Sequence, residues 1–222
     1  MTMEIFTEPD SVSEDLVREF RTSLTSTSTE GTGMILVEAL RAVGVVPKNS
    51  DLLLYKDLYG WKHGGSETYI AAFVVKYCDR GTSCDRSVLA KAVVVPYGVD
   101  FAAKQWIKRK NRLTKFAVST PFIYGYFSGT FFEEFIPYDF DTYFSSSTTT
   151  VKQSLAEELR HTAEKVMLAG FSGNFSTHNL RTDGSNVYVV DVGEDLGHYR
   201  DDKPADDSVL QQALHWIACQ RL

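Results

Sequence analysis

The chain has 222 residues, 43% of them hydrophobic and 13% aromatic, with a formal net charge of −6. That composition excludes a disordered chain and suits one large folded domain or two small lobes. The acidic balance argues against a general nucleic-acid binder, because neutralising phosphates requires a basic face. Cys78, Cys84 and Cys219 show no common zinc spacing, so free thiols in a reducing compartment are expected. No apolar run approaches the roughly 18 residues that span a bilayer. Met1 to Asp10 is acidic and lacks a signal-peptide apolar core. A soluble, cytoplasmic protein with no membrane partner is expected.

In chain order, Ser11 to Phe20 reads as a helix capped by Ser11 or Ser13, with acids in its first turn. Thr22 to Gly33 is rich in Ser, Thr and Gly and reads as a linker. Met34 to Val43 is a second helix, stopped by Gly44. From Asp51 the period changes to that of strands: Leu52–Tyr59, Thr68–Tyr77 and Ser87–Val95, the last two joined at Asp79-Arg80-Gly81. Val99–Phe116 is helical and basic. Phe122–Tyr126 and Thr130–Phe135 form a hairpin around Ser128-Gly129. A polar stretch follows Pro137, with Ser145–Thr150 read as a flexible connector or, alternatively, a phosphorylation target. Val151–Ala169 is a strong helix. Short strands flank a turn at Thr182–Asn186, the second being Val187–Val190, and Asp206–Gln220 is a last helix. This order is an α+β pattern.

Four segments carry chemistry. Gly64-Gly65-Ser66-Glu67-Thr68-Tyr69 lies between the first two strands, where glycines let backbone N–H groups approach phosphates. Alone, it is what a plain hairpin turn contains. Val88-Leu89-Ala90-Lys91 places a lysine among alternating apolar residues. It is either a solvent-facing strand lysine or a cation awaiting an anion, since a buried ammonium is costly without one. Ser172-Gly173-Asn174-Phe175-Ser176-Thr177-His178-Asn179-Leu180 follows the strong helix. Asp191-Val192-Gly193 closes an apolar strand, where a carboxylate is placed to hold a metal ion.

In this order the segments resemble the protein-kinase-like superfamily, in particular its aminoglycoside-phosphotransferase branch and minimal atypical kinases. GGSETY resembles the Gly-rich loop and VLAK the strand-three lysine motif. Phe132-Glu133-Glu134-Phe135-Ile136-Pro137 resembles the strand entering the adenine linker. SGNFSTHNL resembles the catalytic loop, and DVG the metal-binding Asp-x-Gly. The resemblance covers roughly residues 50 to 200 and implies a two-lobed fold with an ATP site between the lobes. It implies a small antiparallel-sheet N-lobe at 51–137, a reduced, mostly helical C-lobe at 138–222, and N-terminal helices at 1–50 packed on the N-lobe. It further implies ATP and Mg²⁺ as cofactors. Gly64, Gly65 and Ser66 would cover the phosphates, and Lys91 would hold them. Backbone groups near Glu134 and Ile136 would meet adenine. Asn179 and Asp191 would bind the metal, and position 174 would be catalytic.

The chain departs from that pattern in three places. Asn174 stands where the family has its catalytic Asp, and an amide cannot accept a proton as a carboxylate can. The helix after Lys91 lacks the expected Glu. Asp100 at its start is the only acid between Lys91 and Thr120, so the lysine's partner comes from elsewhere, with Glu38 a candidate. Third, 29 residues follow Gly193, where full-length members have a large helical region. That favours a protein as acceptor over a small molecule. The expected function is therefore transfer of the γ-phosphate to a hydroxyl. The alternatives are a nucleotide-binding pseudokinase scaffold, a small-molecule kinase, and a kinase fold that transfers AMP. The basic segment 104–115, with Lys104, Lys108, Arg109, Lys110, Arg112 and Lys115, is either a solvated face or a docking helix for an acidic partner.

Overall fold

The structure, a computed structural model, describes residues 13–23, 32–48, 51–63, 68–79, 81–93, 99–193, 196–197, 199 and 205–220. Within them lie six α-helices and eight strands in two antiparallel sheets, an α+β arrangement. They fall into two compact units. The first takes the described residues up to Gln105 together with Phe122–Phe135. The second takes Trp106–Pro121 and the described residues from Ile136 on.

In the first unit, helix α1 (Glu14–Ser23) starts at Ser13, whose Oγ accepts the Leu16 N–H at 3.2 Å. Helix α2 (Thr32–Ala42) ends where Gly44 adopts a φ of +74°, and the N–H of Val45 then closes on Leu40 C=O at 2.9 Å. Five strands follow: β1 (Asp51–His63), β2 (Thr68–Asp79), β3 (Thr82–Val93), β4 (Ile123–Phe127) and β5 (Thr130–Glu134). They pair in the order β1-β2-β3-β5-β4. Ser128 and Gly129 both have positive φ, 45° and 79°, which suits a two-residue hairpin between twisted strands.

Side chains on a strand alternate between faces. Val88 and Ala90 on β3, with Phe132 opposite Ala90 on β5, therefore share one face. That face is the core, where they meet Val75, Phe127, Phe20 of α1, and Ala39 and Leu40 of α2. The Phe20 ring stands edge-on to Phe127 at 5.1 Å and to Phe132 at 6.4 Å. Gly125 of β4 allows the end of α2 to come close: a Cβ there would lie 2.8 Å from Val43 Cβ.

In the second unit, strands β6 (Tyr138–Asp139), β7 (Leu180–Thr182) and β8 (Val187–Val189) pair in that order. Helix α5 (Thr149–Leu168) buries Leu155, Leu159, Ala163 and Val166, and packs with α6 (Ser208–Cys219) through Val209 and Ala213. The stretch after Pro137, expected to be only polar, contains helix α4 (Phe140–Ser146). Asp139 caps it, accepting the Thr142 N–H at 3.0 Å and its Oγ1–H at 2.8 Å. Phe140 and Phe144 then reach Trp216 at 5.4 and 4.8 Å. Ser145–Thr150 is thus the end of one helix and the start of the next.

Helix α3 (Val99–Lys115) begins in the first unit and ends in the second. The segment from Trp106 to Pro121 groups with the second unit because its polar side chains and backbone bond there. Arg109 donates to Gly197 C=O, Arg112 donates to Ala169 C=O at 2.9 Å, and Ser119 C=O accepts the Val189 N–H at 2.9 Å.

Because Phe20 is fully buried, Phe20→Ala should lower the unfolding free energy of the first unit by about 3–5 kcal/mol. Urea denaturation checks this, and a loss under 1 kcal/mol would mean that α1 is not part of that core.

Candidate functional site

The lysine expected to meet an anion is not solvent-facing. Lys91 is 6% exposed and Glu133 is 0% exposed. Strand pairing explains how they meet. Glu133 lies across from Leu89, and Lys91 across from Phe131. Lys91 and Glu133 are therefore diagonal neighbours on the face opposite the hydrophobic core. Lys91 Nζ stands 3.7 Å from Glu133 Oε1 and 6.0 Å from the Phe131 ring centre. The partner suggested from the sequence, Glu38, is bonded to Arg41 of its own helix at 2.7 Å. The carboxylate comes from β5 in place of a helix.

Next along β5, Glu134 N–H donates to Phe122 C=O at 2.8 Å and Phe135 N–H to Ser87 C=O at 3.4 Å. Neither amide is available to a ligand. Ile136, also expected near adenine, is buried in the second unit. Gly64, Gly65 and Ser66 lie outside the described residues.

The other expected residues lie in the second unit on a loop and a hairpin. The β7–β8 register pairs Leu180 with Val189. The next bond outward runs from Val190 N–H to Asn179 C=O at 3.0 Å. This pairs Asn179 with Val190, the residue before Asp191, at the hairpin's open end. Asp191 Oδ1 accepts the Gly193 N–H at 2.9 Å, which orients the carboxylate. Before Asn179 comes a single 3-10 turn, Thr177–Asn179, capped by Ser176 Oγ on the His178 N–H. Asp141 of α4 secures it by accepting from Thr177 Oγ1 at 2.9 Å and lying 3.4 Å from His178 Nδ1.

Asn174 is exposed, while its neighbour Phe175 is a buried anchor. The backbone around it is tied down. Gly173 N–H donates to Leu196 C=O at 3.1 Å, and Ser208 Oγ donates to Ser172 C=O at 3.3 Å. Gln212 of α6 bonds both neighbours of Asn174. Its Oε1 accepts the Phe175 N–H at 2.8 Å, and its Nε2 donates to Gly173 C=O at 3.1 Å.

The sequence reading missed Glu133, Asp141 and Gln212. Glu133 had a signal: two consecutive acids on a strand point to opposite faces, so one of them must share the face of Lys91. Gln212 had a weaker one, since it falls beside Val209 and Ala213 on the buried side of α6. The basic helix proves to be largely structural in its second half. Lys110 is buried, while Arg109 and Arg112 bond carbonyls and lie over Phe171 and Tyr199. Lys104, Lys108 and Lys115 are its exposed cations.

The hairpin that pairs Asn179 with Val190 turns on Asp183. Partial burial pushes that carboxyl up. Hydrogen bonds from the Asn186 backbone and side chain, the Ser185 N–H and the Tyr188 hydroxyl outweigh it and hold the group at about 2.

Among the described residues, no helix is long and apolar enough to cross a membrane. No family model matches the chain, and no curated protein matches it.

Two outcomes follow. Lys91→Met or Glu133→Leu alone leaves one charge buried and should cost about 3–5 kcal/mol, while the double variant should recover at least about 1 kcal/mol over the worse single change. Additive losses in urea would show that the pair is not coupled. For Asp183 the folded value lies below the ordinary 3.8, so its contribution is present above pH 3.8 and is lost as pH falls towards 2. The stability gap between the parent chain and Asp183→Asn should be on the order of 1 kcal/mol at neutral pH, reduced by solvent screening, and should close towards pH 2. A gap independent of pH would remove the carboxylate's role.

Proposed function

We propose that the chain is a two-lobed, protein-kinase-like phosphotransferase that uses ATP and Mg²⁺ and acts on a hydroxyl group, with a protein as acceptor. The observation that carries this reading is the Val190 N–H bond to Asn179 C=O, which sets Asn179 beside the strand end that runs into Asp191. These are the two residues the resemblance assigns to the metal. One carboxylate and one amide oxygen are a sparse donor set. Mg²⁺ retains several waters and takes one or two protein carboxylates together with substrate phosphates. The set therefore fits a Mg-nucleotide better than a resident metal ion. Among the described residues there is no group of three or more His, Cys, Asp or Glu that could cage an ion.

The buried ammonium of Lys91 supports the same reading. A cation withdrawn from water gains from each anion brought to it, and phosphate oxygens would add to Glu133. With the Glu134 and Phe135 amides engaged, this reading leaves the backbone of the buried Ile136 as the group that would meet adenine.

Bound Mg-ATP supplies the γ-phosphoryl group and ADP as the leaving group. Lys91 would neutralise phosphate charge. Asp191 and Asn179 would be the groups that hold the ion. Asn174 orients the acceptor: its Oδ1 can accept a hydrogen bond from the hydroxyl but cannot take its proton. Because phosphoryl transfer rests mainly on positioning and charge, an amide here slows transfer without removing nucleotide binding. The exposure of Asn174 suits an acceptor presented by another macromolecule. Asn174 is also the observation that favours a second reading, a nucleotide-binding scaffold that transfers nothing.

Mg-ATP at roughly 100 times its Kd should raise the melting temperature by about 5–10 °C. Asp191→Ala should remove the magnesium-dependent part. Asn174→Asp should leave binding unchanged and raise initial labelling from radiolabelled ATP at least about 10-fold. Binding without any gain in rate moves the scaffold ahead of the enzyme. No shift in either form at millimolar Mg-ATP would overturn the reading. Labelling confined to small hydroxyl compounds, with lysate proteins unlabelled, would exclude the protein acceptor.

A further inference from the structure

Gln212 brackets Asn174. Its side-chain amide accepts from the residue after Asn174 and donates to the residue before it, at 2.8 and 3.1 Å. In extended backbone the carbonyl of one residue and the N–H two residues on point the same way. A parallel neighbouring strand pairs with both through a single residue. Here a side chain supplies that peptide-like pair, because a primary amide carries a donor and an acceptor together.

Three features locate the purpose of this clamp at residue 174. Residue 174 itself is exposed, so the clamp does not serve to bury it. Stability at this end of the loop already comes from the buried rings of Phe171 and Phe175. The clamp also joins a second tether, Gly173 N–H on Leu196 C=O, so that both peptide groups of Gly173 are fixed. Gly197 stacks on that glycine so closely that a Cβ on it would lie 2.9 Å from Gly173 N. The result is a backbone with its direction fixed on either side of one exposed polar side chain.

We infer that Gln212 is a positioning residue: it holds the peptide groups flanking residue 174 so that the side chain there meets the acceptor hydroxyl in one orientation. This rests on the phosphotransferase reading above. It adds that α6, outside every motif recognised in the sequence, belongs to the transfer machinery. Leucine at 212 keeps the bulk and loses both bonds. Glutamate keeps the acceptor for Phe175 N–H and sets a carboxylate against Gly173 C=O. Asparagine keeps the amide, but one methylene short.

The experiment compares Gln212→Leu, Gln212→Glu and Gln212→Asn, each in the full chain with Asn174→Asp, against Asn174→Asp alone. Initial labelling rate, KM for Mg-ATP, melting temperature and amide exchange at Phe175 are measured. For Gln212→Leu the rate should fall at least about 10-fold at saturating Mg-ATP with KM changed less than about 3-fold, the signature of an interaction used after binding. Gln212→Glu should fall between Leu and the parent. Phe175 exchange should rise at least about 10-fold while α5 core amides are unchanged, because a single lost hydrogen bond opens locally. Labelling in Gln212→Leu within about 2-fold of Asn174→Asp overturns the proposal and leaves the phosphotransferase reading intact. A lost rate accompanied by faster exchange throughout α5 and α6 marks Gln212 as merely structural and also overturns it. If Asn174→Asp itself transfers nothing, the phosphotransferase reading falls and the role given to Gln212 falls with it.

Discussion

The alternation of side chains across β3 and β5 is the constraint on which the first unit depends. Val88, Ala90 and Phe132 point to one face, while Lys91, Phe131 and Glu133 point to the other. A register slip of one residue would exchange the two sets. It would drive an ammonium and a carboxylate into a core lined by Phe20, Leu40 and Phe127, at several kcal/mol per uncompensated ion. Correct packing of α1 and α2 on the sheet and correct placement of the charged pair are therefore one requirement. Gly125 serves the same end by admitting the end of α2 against β4.

In the second unit the placement of candidate residues depends on backbone hydrogen bonds more than on packing. The hairpin register brings Asn179 to Val190, and Asp183 fixes the turn at its other end. Arg109 and Arg112 extend this logic to helix α3. Each spends its guanidinium on a main-chain carbonyl of a loop and lies over an aromatic ring. A helix that reads as a cationic surface is in this way partly turned inward. Arginine suits such a role, since its planar head stacks and donates at once.

Much of the fold was legible because its signals are local. Ser13 as a cap, Gly44 as a helix stop and Ser128-Gly129 as a hairpin turn each depend on a few adjacent residues. Helix α4 was hidden because its capping Asp139 and its Phe140/Phe144 pair are followed by a run of Ser and Thr that reads as loop. Segments containing Asn174, Asn179 and Asp191 could be singled out by order, but the pairing of Asn179 with Val190 depends on a strand register that no spacing reveals. The partner of Lys91 was missed for the same reason. The sequence reading sought an acid on a helix, and the acid arrived from a strand forty-two residues later. Gln212 was furthest from legible, because its partners are main-chain atoms and carry no residue type to match.

What position 174 does chemically is set by two different links in the chain of causes. The residue type decides whether a proton can be accepted, and an amide cannot do so. The surrounding backbone decides whether the side chain is aimed, and here every peptide group from Ser172 C=O to Phe175 N–H that has been described is engaged, apart from those of Asn174 itself. These links need not be lost together. A hydrogen bond in such a loop contributes only about 1 kcal/mol to stability, and water could satisfy the same groups at an exposed site. Four protein bonds flanking one exposed amide are thus a small gain for folding and a large restriction on orientation. Restricted orientation is the quantity on which phosphoryl transfer most depends. On the phosphotransferase reading proposed above, an amide held in this way would keep the geometry of the task while lacking its proton chemistry, and the limiting feature would lie at one atom of Asn174 instead of in the scaffold around it.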